Sequence, residues 1–99
     1  MDCAATVREY CERRGITEVP VVGMDDMPLV LHGTDGKSYM EVDGNVWMAL
    51  GDSHEVAYVG TSRHGGHMVL RPLFVKLDGV WRNSTTGRET DFTSWKTVR

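Results

Sequence analysis

The spacing of apolar residues divides the chain into a short helical segment followed by a longer run of strands. Near the N-terminus, apolar residues recur at the i, i+4, i+7, i+8 spacing of a buried helix face, at Cys3, Val7, Tyr10 and Cys11. Gly15 follows, where a helix commonly ends in a left-handed residue. The pattern predicts a helix over about residues 3–14 and places both cysteines in the core, where a thiol packs as a small apolar group.

After Gly15 the apolar period changes from about 3.6 to about 2, which is typical of strands. Pro20 lacks an N–H for the ladder, so it indicates an edge or the start of a strand, and Pro72 is expected to bend or divide the runs around it. Short runs rich in Val, Leu, Tyr and Trp, separated by Gly, Asp and Asn, predict strands near 18–22, 28–32, 38–42, 46–50, 55–59, 67–71, 73–77 and 80–83.

The turn at Asp43-Gly44 predicts a hairpin with two alternative registers. A two-residue loop pairs Val42 with Asn45, whereas a three-residue loop pairs Val42 with Val46 and lets Asn45 take a left-handed bulge position. We favour the second register because it gathers the apolar residues of both strands on one face, at Met40, Val42, Val46, Met48 and Leu50.

A second hairpin is predicted at Asp78-Gly79, where a two-residue loop pairs Leu77 with Val80. With the registers favoured at the two hairpins, Trp47 and Trp81 both point away from the main core. Both indole rings are then expected to be available to a partner.

Together these elements predict a single domain over residues 1–99, of the α+β class. The N-terminal helix packs on one bent antiparallel sheet of about five to seven strands, which covers about residues 18–83. A chain of 99 residues buries enough surface for one hydrophobic core. The last segment, near 90–98, is ambiguous, because Phe92, Trp95 and Val98 fit a helical stripe while its threonines favour a strand.

One loop carries residue types used in catalysis and metal binding, since Arg63, His64 and His67 flank two glycines and His54 could join them. The paired Cys or His spacing of zinc sites is absent from the sequence. The tripeptide Arg63-His64-Gly65 resembles the signature of histidine phosphatases, but 99 residues leave no room for that family's larger α/β domain. We predict no catalytic residue, metal or cofactor, and keep a small hydrolase or metal-binding protein centred on this loop as a third hypothesis.

Charge is distributed unevenly, although the net charge is only -3. Residues 1–55 hold 11 acids against 4 Lys or Arg, whereas residues 56–99 hold 3 acids against 7. Several acids between residues 25 and 55 fall at turns, and acidic turns that share one edge would attract a basic surface. If the two halves instead interleave and neutralise each other, that attraction is lost, and the sequence leaves both interpretations open.

We predict a non-enzymatic protein-interaction domain that binds a basic protein surface. The residues expected to touch the partner are the acidic turns and the two tryptophans, namely Asp25, Asp26, Asp35, Glu41, Asp43, Trp47, Asp52 and Trp81. In size and charge, such a domain resembles the inhibitors that phages and other mobile elements direct at host machinery, including anti-CRISPR proteins. The resemblance implies that carboxylates occupy Lys and Arg sites that normally meet nucleic-acid phosphates.

A second hypothesis is direct binding of single-stranded nucleic acid by the basic C-terminal half, through its cations and nearby aromatic rings. The net negative charge disfavours this hypothesis. No run approaches the roughly 20 apolar residues of a membrane-spanning helix, and the first residues lack a secretory signal, so we expect a cytoplasmic protein without a membrane partner. Unpaired sheet edges would also allow a homodimer.

Overall fold

The computed structural model describes residues 3–27, 29–51, 55–62 and 67–92, without the side chains of Cys3 and Asp43. Within these ranges a single helix, α1, occupies Cys3–Arg14, the segment where the sequence predicts one. The strands that follow are β1 (Val19–Asp26), β2 (Leu29–Gly33), β3 (Ser38–Asp43), β4 (Val46–Ala49), β5 (Val56–Ser62), β6 (Met68–Leu77) and β7 (Val80–Asn83). All neighbouring strands are antiparallel.

The sheet closes on itself, so the predicted α+β fold with a helix on an open bent sheet is wrong. Six strands form an antiparallel β-barrel, because β1 pairs with β2 on one side and with β6 on the other. The closing pairs are Val19 with Leu70 and Pro20 with Val69. β7 extends the sheet from the far part of β6, where Leu77 pairs with Val80. The short helix is an addition to a β-rich fold.

The interior of the barrel is filled mainly by aromatic and branched side chains. Each of the six barrel strands contributes to one cluster of buried residues, which are Val19, Leu31, Tyr39, Trp47, Ala49, Tyr58 and Leu70. The rings of Tyr39 and Tyr58 meet edge to face, with centroids 5.2 Å apart. Trp47 is only 3% exposed, so the prediction that it points away from the core is wrong.

A second cluster lies on the outer face of the sheet. It joins the buried residues Val42, Met48 and Ala57 to the partly buried Phe74 and Trp81, with Val46 and Phe92 packed beside them. Phe92 contacts two of these rings, with its centroid 4.9 Å from that of Phe74 and 4.9 Å from that of Trp81. The ambiguous C-terminal segment therefore covers this outer cluster at least as far as Phe92, while Trp95 and Val98 lie outside the described residues.

The β3–β4 hairpin has the favoured register, with one difference at the turn. Met40 pairs with Met48, as that register requires, but the register shifts before the turn and Asp43 pairs with Val46. The left-handed residue is Gly44, with φ of 56°, and not the predicted Asn45. A bulge before the turn thus replaces the expected three-residue loop.

The β6–β7 hairpin agrees with the prediction, because Leu77 pairs with Val80 and both Asp78 and Gly79 have positive φ. Pro72 does not divide the chain into two strands, since β6 runs through it. The register with β5 shifts directly after Pro72, because Tyr58 pairs with Pro72 and Ala57 with Phe74, which leaves Leu73 of β6 as an extra, unpaired residue. A bulge in β6 thus accompanies a residue that has no N–H to donate.

The helix uses the predicted stripe to bury two side chains. Val7 is fully buried and Tyr10 is 9% exposed. Cys11 is half-buried, and desolvation raises the pKa of its thiol, which favours the unreactive protonated form. Near the C-terminal end of the helix, the guanidinium of Arg14 lies 5.6 Å from the centre of the Tyr10 ring.

Gly33 is a position where the barrel leaves no space for a side chain. A Cβ built there would lie 2.5 Å from Cγ1 of Val19 and 2.7 Å from Oδ1 of Asp35. We expect Gly33→Ala to lower the free energy of unfolding by about 1–3 kcal/mol, because a core side chain and a turn must move. Chemical denaturation measures this change.

Gly23→Ala is the matched control for this prediction. It lies in the same hairpin, and its Cβ would meet only His32 atoms at 3.7 and 3.9 Å, which is ordinary contact. Alanine there is expected to leave stability within about 0.5 kcal/mol or to raise it slightly, because it restricts the unfolded chain. Equal effects of the two substitutions would contradict the close packing at Gly33.

Candidate interaction surface

The β1–β2 hairpin extends the sheet beyond the seam that closes the barrel. Residues 21–26 of β1 pair with β2, whereas β6 contributes only Val69 and Leu70 to the pairing with β1 among the described residues. The register of the hairpin shifts between Val21 and Gly23, which leaves Val22 as an extra, unpaired residue of the kind found in β-bulges. Among the described residues, this part of β1 therefore pairs with one strand instead of two.

Exposed apolar side chains concentrate on this hairpin. Five large hydrophobic residues are exposed in the described part of the chain, and all but Leu50 belong to the hairpin. We call these four the hairpin patch; they are Val22 at 68%, Met24 at 57%, Met27 at 93% and Leu29 at 39% exposure. Met24 pairs with the buried Leu31 and so lies on the interior face of the sheet. It is nevertheless exposed to water, and among the described residues no strand pairs with β1 on its other side at this point.

Two carboxylates lie beside the hairpin patch, one on each face of β1. Asp26 pairs with Leu29 and shares the interior face of the sheet, whereas Asp25 pairs with Val30 on the outer face. The Asp26 carboxylate has no ion pair or hydrogen bond within the described ranges, and Asp25 is 68% exposed. The patch thus combines apolar side chains with negative charge.

A chain of hydrogen bonds connects the hairpin to β3 on the outer face. Nε2 of His32 lies 3.0 Å from a carboxylate oxygen of Asp25, and Nδ1 lies 3.0 Å from Oγ of Ser38. Because the Asp25 carboxylate only accepts, Nε2–H donates to it, and in the neutral imidazole the Ser38 hydroxyl then donates to Nδ1. These bonds cross three strands on the outer face of the sheet, and the His32 ring holds the Asp25 carboxylate beside it.

The predicted acidic turns do not form a single edge. In an antiparallel barrel successive turns alternate between its two ends, so Asp25 and Asp26 lie toward one end and Asp35 at the other. Glu41 is half-buried on β3, toward the Asp26 end, and Asp43 falls at the β3–β4 turn on the same side. Asp52 lies outside the described residues.

Asp35 has a structural role at its own end of the barrel. One of its carboxylate oxygens accepts the Tyr39 hydroxyl at 2.5 Å, and the other accepts the backbone N–H of Lys37 at 3.0 Å. Burial, and then the bond to Asp35, raise the pKa of the Tyr39 phenol, so Tyr39 remains a protonated donor. Both oxygens of Asp35 are therefore used within the protein.

A cleft of about 400 Å³ opens at the Asp35 end, between the end of α1 and the barrel. Its charged side chains already have partners in the protein. The Arg14 guanidinium lies 3.4 Å from the Glu55 carboxylate, and the Arg71 guanidinium lies 3.5 Å from that of Glu18. The second of these ion pairs joins the acidic half of the sequence to the basic half.

Of the two tryptophans predicted to contact a partner, Trp47 is buried in the barrel and Trp81 points outward but is half-buried. The indole N–H of Trp47 donates to Oδ1 of Asn45 at 3.1 Å, while Nδ2 of Asn45 donates to the backbone oxygen of Gly60 at 2.6 Å. Trp81 is half-buried against Phe92. Trp47 is thus a core residue, and Trp81 packs in the outer cluster.

Of the residues singled out for catalysis or metal binding, only His67 lies among the described residues. Arg63 and His64 lie outside the described residues, as does His54, whereas His67 is exposed just before β6. In the described ranges, no three His, Cys, Asp or Glu side chains form a cluster that could hold a metal ion. None of the helices in those ranges is long and apolar enough to cross a membrane.

Comparison of the chain with protein-family models, with curated proteins and with solved structures gives no match. The function therefore has to be inferred from the geometry of the chain itself.

Proposed function

We propose that the chain is a protein-interaction domain that binds a basic protein surface through the β1–β2 hairpin. The observation that carries the proposal is the hairpin patch, which holds all but one of the exposed large hydrophobic residues in the described part of the chain. Contiguous exposed apolar side chains with a polar rim are typical of interaction sites.

The carboxylates beside the hairpin patch indicate the charge of the partner. Asp26 is available for an ion pair with the partner, and Asp25 is held in position by His32. Apolar side chains supply most of the affinity of such an interface, while charge selects the partner and speeds association. The complementary surface of the partner carries lysine or arginine next to apolar side chains.

The proposal differs from the sequence-based prediction in the residues it uses. It keeps Asp25 and Asp26, and it replaces the tryptophans by Val22, Met24 and Leu29 as the apolar contacts. If the basic surface of the partner also binds nucleic acid, the hairpin would compete with phosphates for the same lysines and arginines. Competition of this kind would inhibit nucleic-acid binding by the partner.

Two hairpin variants test the proposal by capture of partners from a lysate of the source organism, with and without nuclease treatment. Met24→Ser with Leu29→Ser removes apolar contacts, and Asp26→Lys reverses one charge. We expect each variant to weaken binding of a nuclease-resistant partner roughly 10-fold or more, because interface hot spots cost about 2 kcal/mol or more when truncated. Quantitative mass spectrometry of the captured protein measures the loss.

Matched controls separate the hairpin from general surface effects. Leu50→Ser removes an apolar side chain that is 46% exposed outside the hairpin, and Glu12→Lys reverses an exposed charge on α1. Both controls should retain the partner. Equal loss in hairpin and control variants, an empty capture, or recovery only without nuclease would contradict the proposal, and the last result would favour nucleic-acid binding.

A further inference from the structure

Among the described residues, part of β1 has a backbone edge that pairs with no other strand. Val19 and Pro20 pair with β6, whereas residues 21–26 pair with β2 and with no second strand among the described residues. A strand edge presents a row of N–H and C=O groups that readily bond another strand. This open edge runs directly beside Val22 and Met24 of the hairpin patch.

The last part of the open edge is regular. Natural proteins commonly protect sheet edges with proline, bulges or charged side chains, especially lysine. Here Pro20 and the bulge at Val22 lie at its beginning, while the register is unbroken from the pair of Gly23 with His32 to the pair of Asp26 with Leu29. Proline and bulge therefore do not interrupt these four residues, and the charges among them, Asp25 and Asp26, disfavour an added strand unless it is basic.

We infer that the partner contributes an extended, basic segment that adds to this edge of β1 as a further strand. The inference rests on the proposed function, because it specifies how the partner meets the same hairpin. Main-chain hydrogen bonds supply affinity in strand addition, and the alternating side chains supply specificity. The added strand places side chains beside Met24 and Asp26 on one face and beside Asp25 on the other.

The positions of the two carboxylates define the chemistry of the added strand. Asp25 and Asp26 are adjacent and point to opposite faces, so two adjacent basic residues of the partner can each meet one carboxylate. An apolar residue of the partner next to this basic pair then lies along Met24. A second copy of the chain fits less well, because edge-to-edge pairing would bring four carboxylates into one short ladder.

A designed peptide probes this edge without knowledge of the natural partner. The probe is a capped peptide with two central lysines flanked on each side by valine and threonine, symmetric about its midpoint so that it fits in either strand direction. We expect it to shift the amide NMR signals of residues 21–26 in the full-length, isotope-labelled chain at about 1 mM, a range that detects binding of about -4 kcal/mol. No shift in those residues overturns the inference.

Backbone N-methylation separates strand addition from contact through side chains alone. Alternate N–H groups of a strand point to opposite edges, so two further peptides are methylated on every second backbone nitrogen, one on the odd and one on the even positions. The peptide that lacks the N–H groups facing β1 should bind at least 10-fold more weakly, whereas the peptide that lacks the N–H groups facing away should bind almost normally. Equal binding by both methylated peptides and the parent peptide overturns strand addition.

Two further measurements distinguish the inference from its alternatives. Replacing the lysines by glutamates should abolish the shifts, and the Asp26→Lys variant should weaken binding of the lysine peptide. If sedimentation shows a dimer of the chain that Met24→Ser with Leu29→Ser dissolves, a second copy covers the hairpin, and the inference is wrong. Capture of a partner that depends on the hairpin, together with equal binding of the methylated peptides, would leave the proposed function standing without strand addition.

Discussion

Trp47→Ala is expected to lower the free energy of unfolding by about 3–5 kcal/mol, the range for truncating a large buried aromatic residue. Trp47 is 3% exposed and lies in the barrel interior, and its indole N–H donates to Asn45. Small domains are stable by about 5–15 kcal/mol, so this loss would consume a large part of the total. Urea denaturation followed by circular dichroism measures the change.

Two further variants keep this prediction testable if Trp47→Ala does not fold. Trp47→Phe preserves most of the apolar volume but leaves Oδ1 of Asn45 without its indole donor, and we expect a cost of about 1–3 kcal/mol. Met24→Ala, which truncates a side chain that is 57% exposed, should change stability by no more than about 0.5 kcal/mol. If Trp47→Ala cost as little stability as Met24→Ala, the result would contradict the burial of the indole ring in the barrel.

Leu70→Ala is expected to cost about 2–5 kcal/mol, the range for leucine truncation in a well-packed core. Leu70 is fully buried and pairs with Val19 at the seam that closes the barrel. The substitution therefore removes packing at the contact between the first and last strands of the barrel. Denaturation by urea, with hydrogen exchange of the Val19 amide, measures both the stability and the integrity of the seam.

The matched control is Leu50→Ala, which makes the same chemical change at a side chain that is 46% exposed. We expect this control to change stability by no more than about 0.5 kcal/mol. If the two leucine variants had equal stability, or if the Val19 amide exchanged as fast as an unprotected amide in the wild type, the seam would not be closed.

Local structure could be predicted from the sequence because it depends on neighbouring residues. The stripe of Val7 and Tyr10 marks the helix, and the Asp78-Gly79 turn gives the correct hairpin register. Closure of the barrel could not be predicted, because it depends on a pair, Val19 with Leu70, whose members are far apart in the sequence. No local pattern distinguishes a strand at an open edge from one that closes a barrel.

The error at Trp47 has a related physical cause. The β3–β4 hairpin has apolar residues on both faces, since Tyr39 and Trp47 line the barrel while Val42 and Met48 lie in the outer cluster. With a single core, the aliphatic face of this hairpin is the one expected to be buried. A sheet with a covered outer face has two apolar sides, so alternation alone cannot tell which of them is the interior.

The sequence predicts part of the hairpin that carries the candidate site. The acidic residues Asp25 and Asp26 are visible as charge, but the apolar pattern predicts that the first strand ends at residue 22, whereas β1 continues through Met24 to Asp26. The sequence does hold a signal, because the apolar residues Val22, Met24 and Met27 surround the two acids. No strand predicted from the sequence accounts for the burial of these three side chains. Exposure of these side chains accompanies a seam whose pairs, among the described residues, end at Pro20, and the sequence does not show where the seam ends.

Binding of a protein partner by the hairpin patch is the claim that titration calorimetry can check. The measured quantity is the dissociation constant of the captured partner for the wild type, for Met24→Ser with Leu29→Ser, and for Leu50→Ser. We predict a rise of roughly 10-fold or more for the hairpin variant, about 1.4 kcal/mol for each factor of ten, and no change for the control. Equal dissociation constants for the hairpin variant and the wild type would contradict the claim.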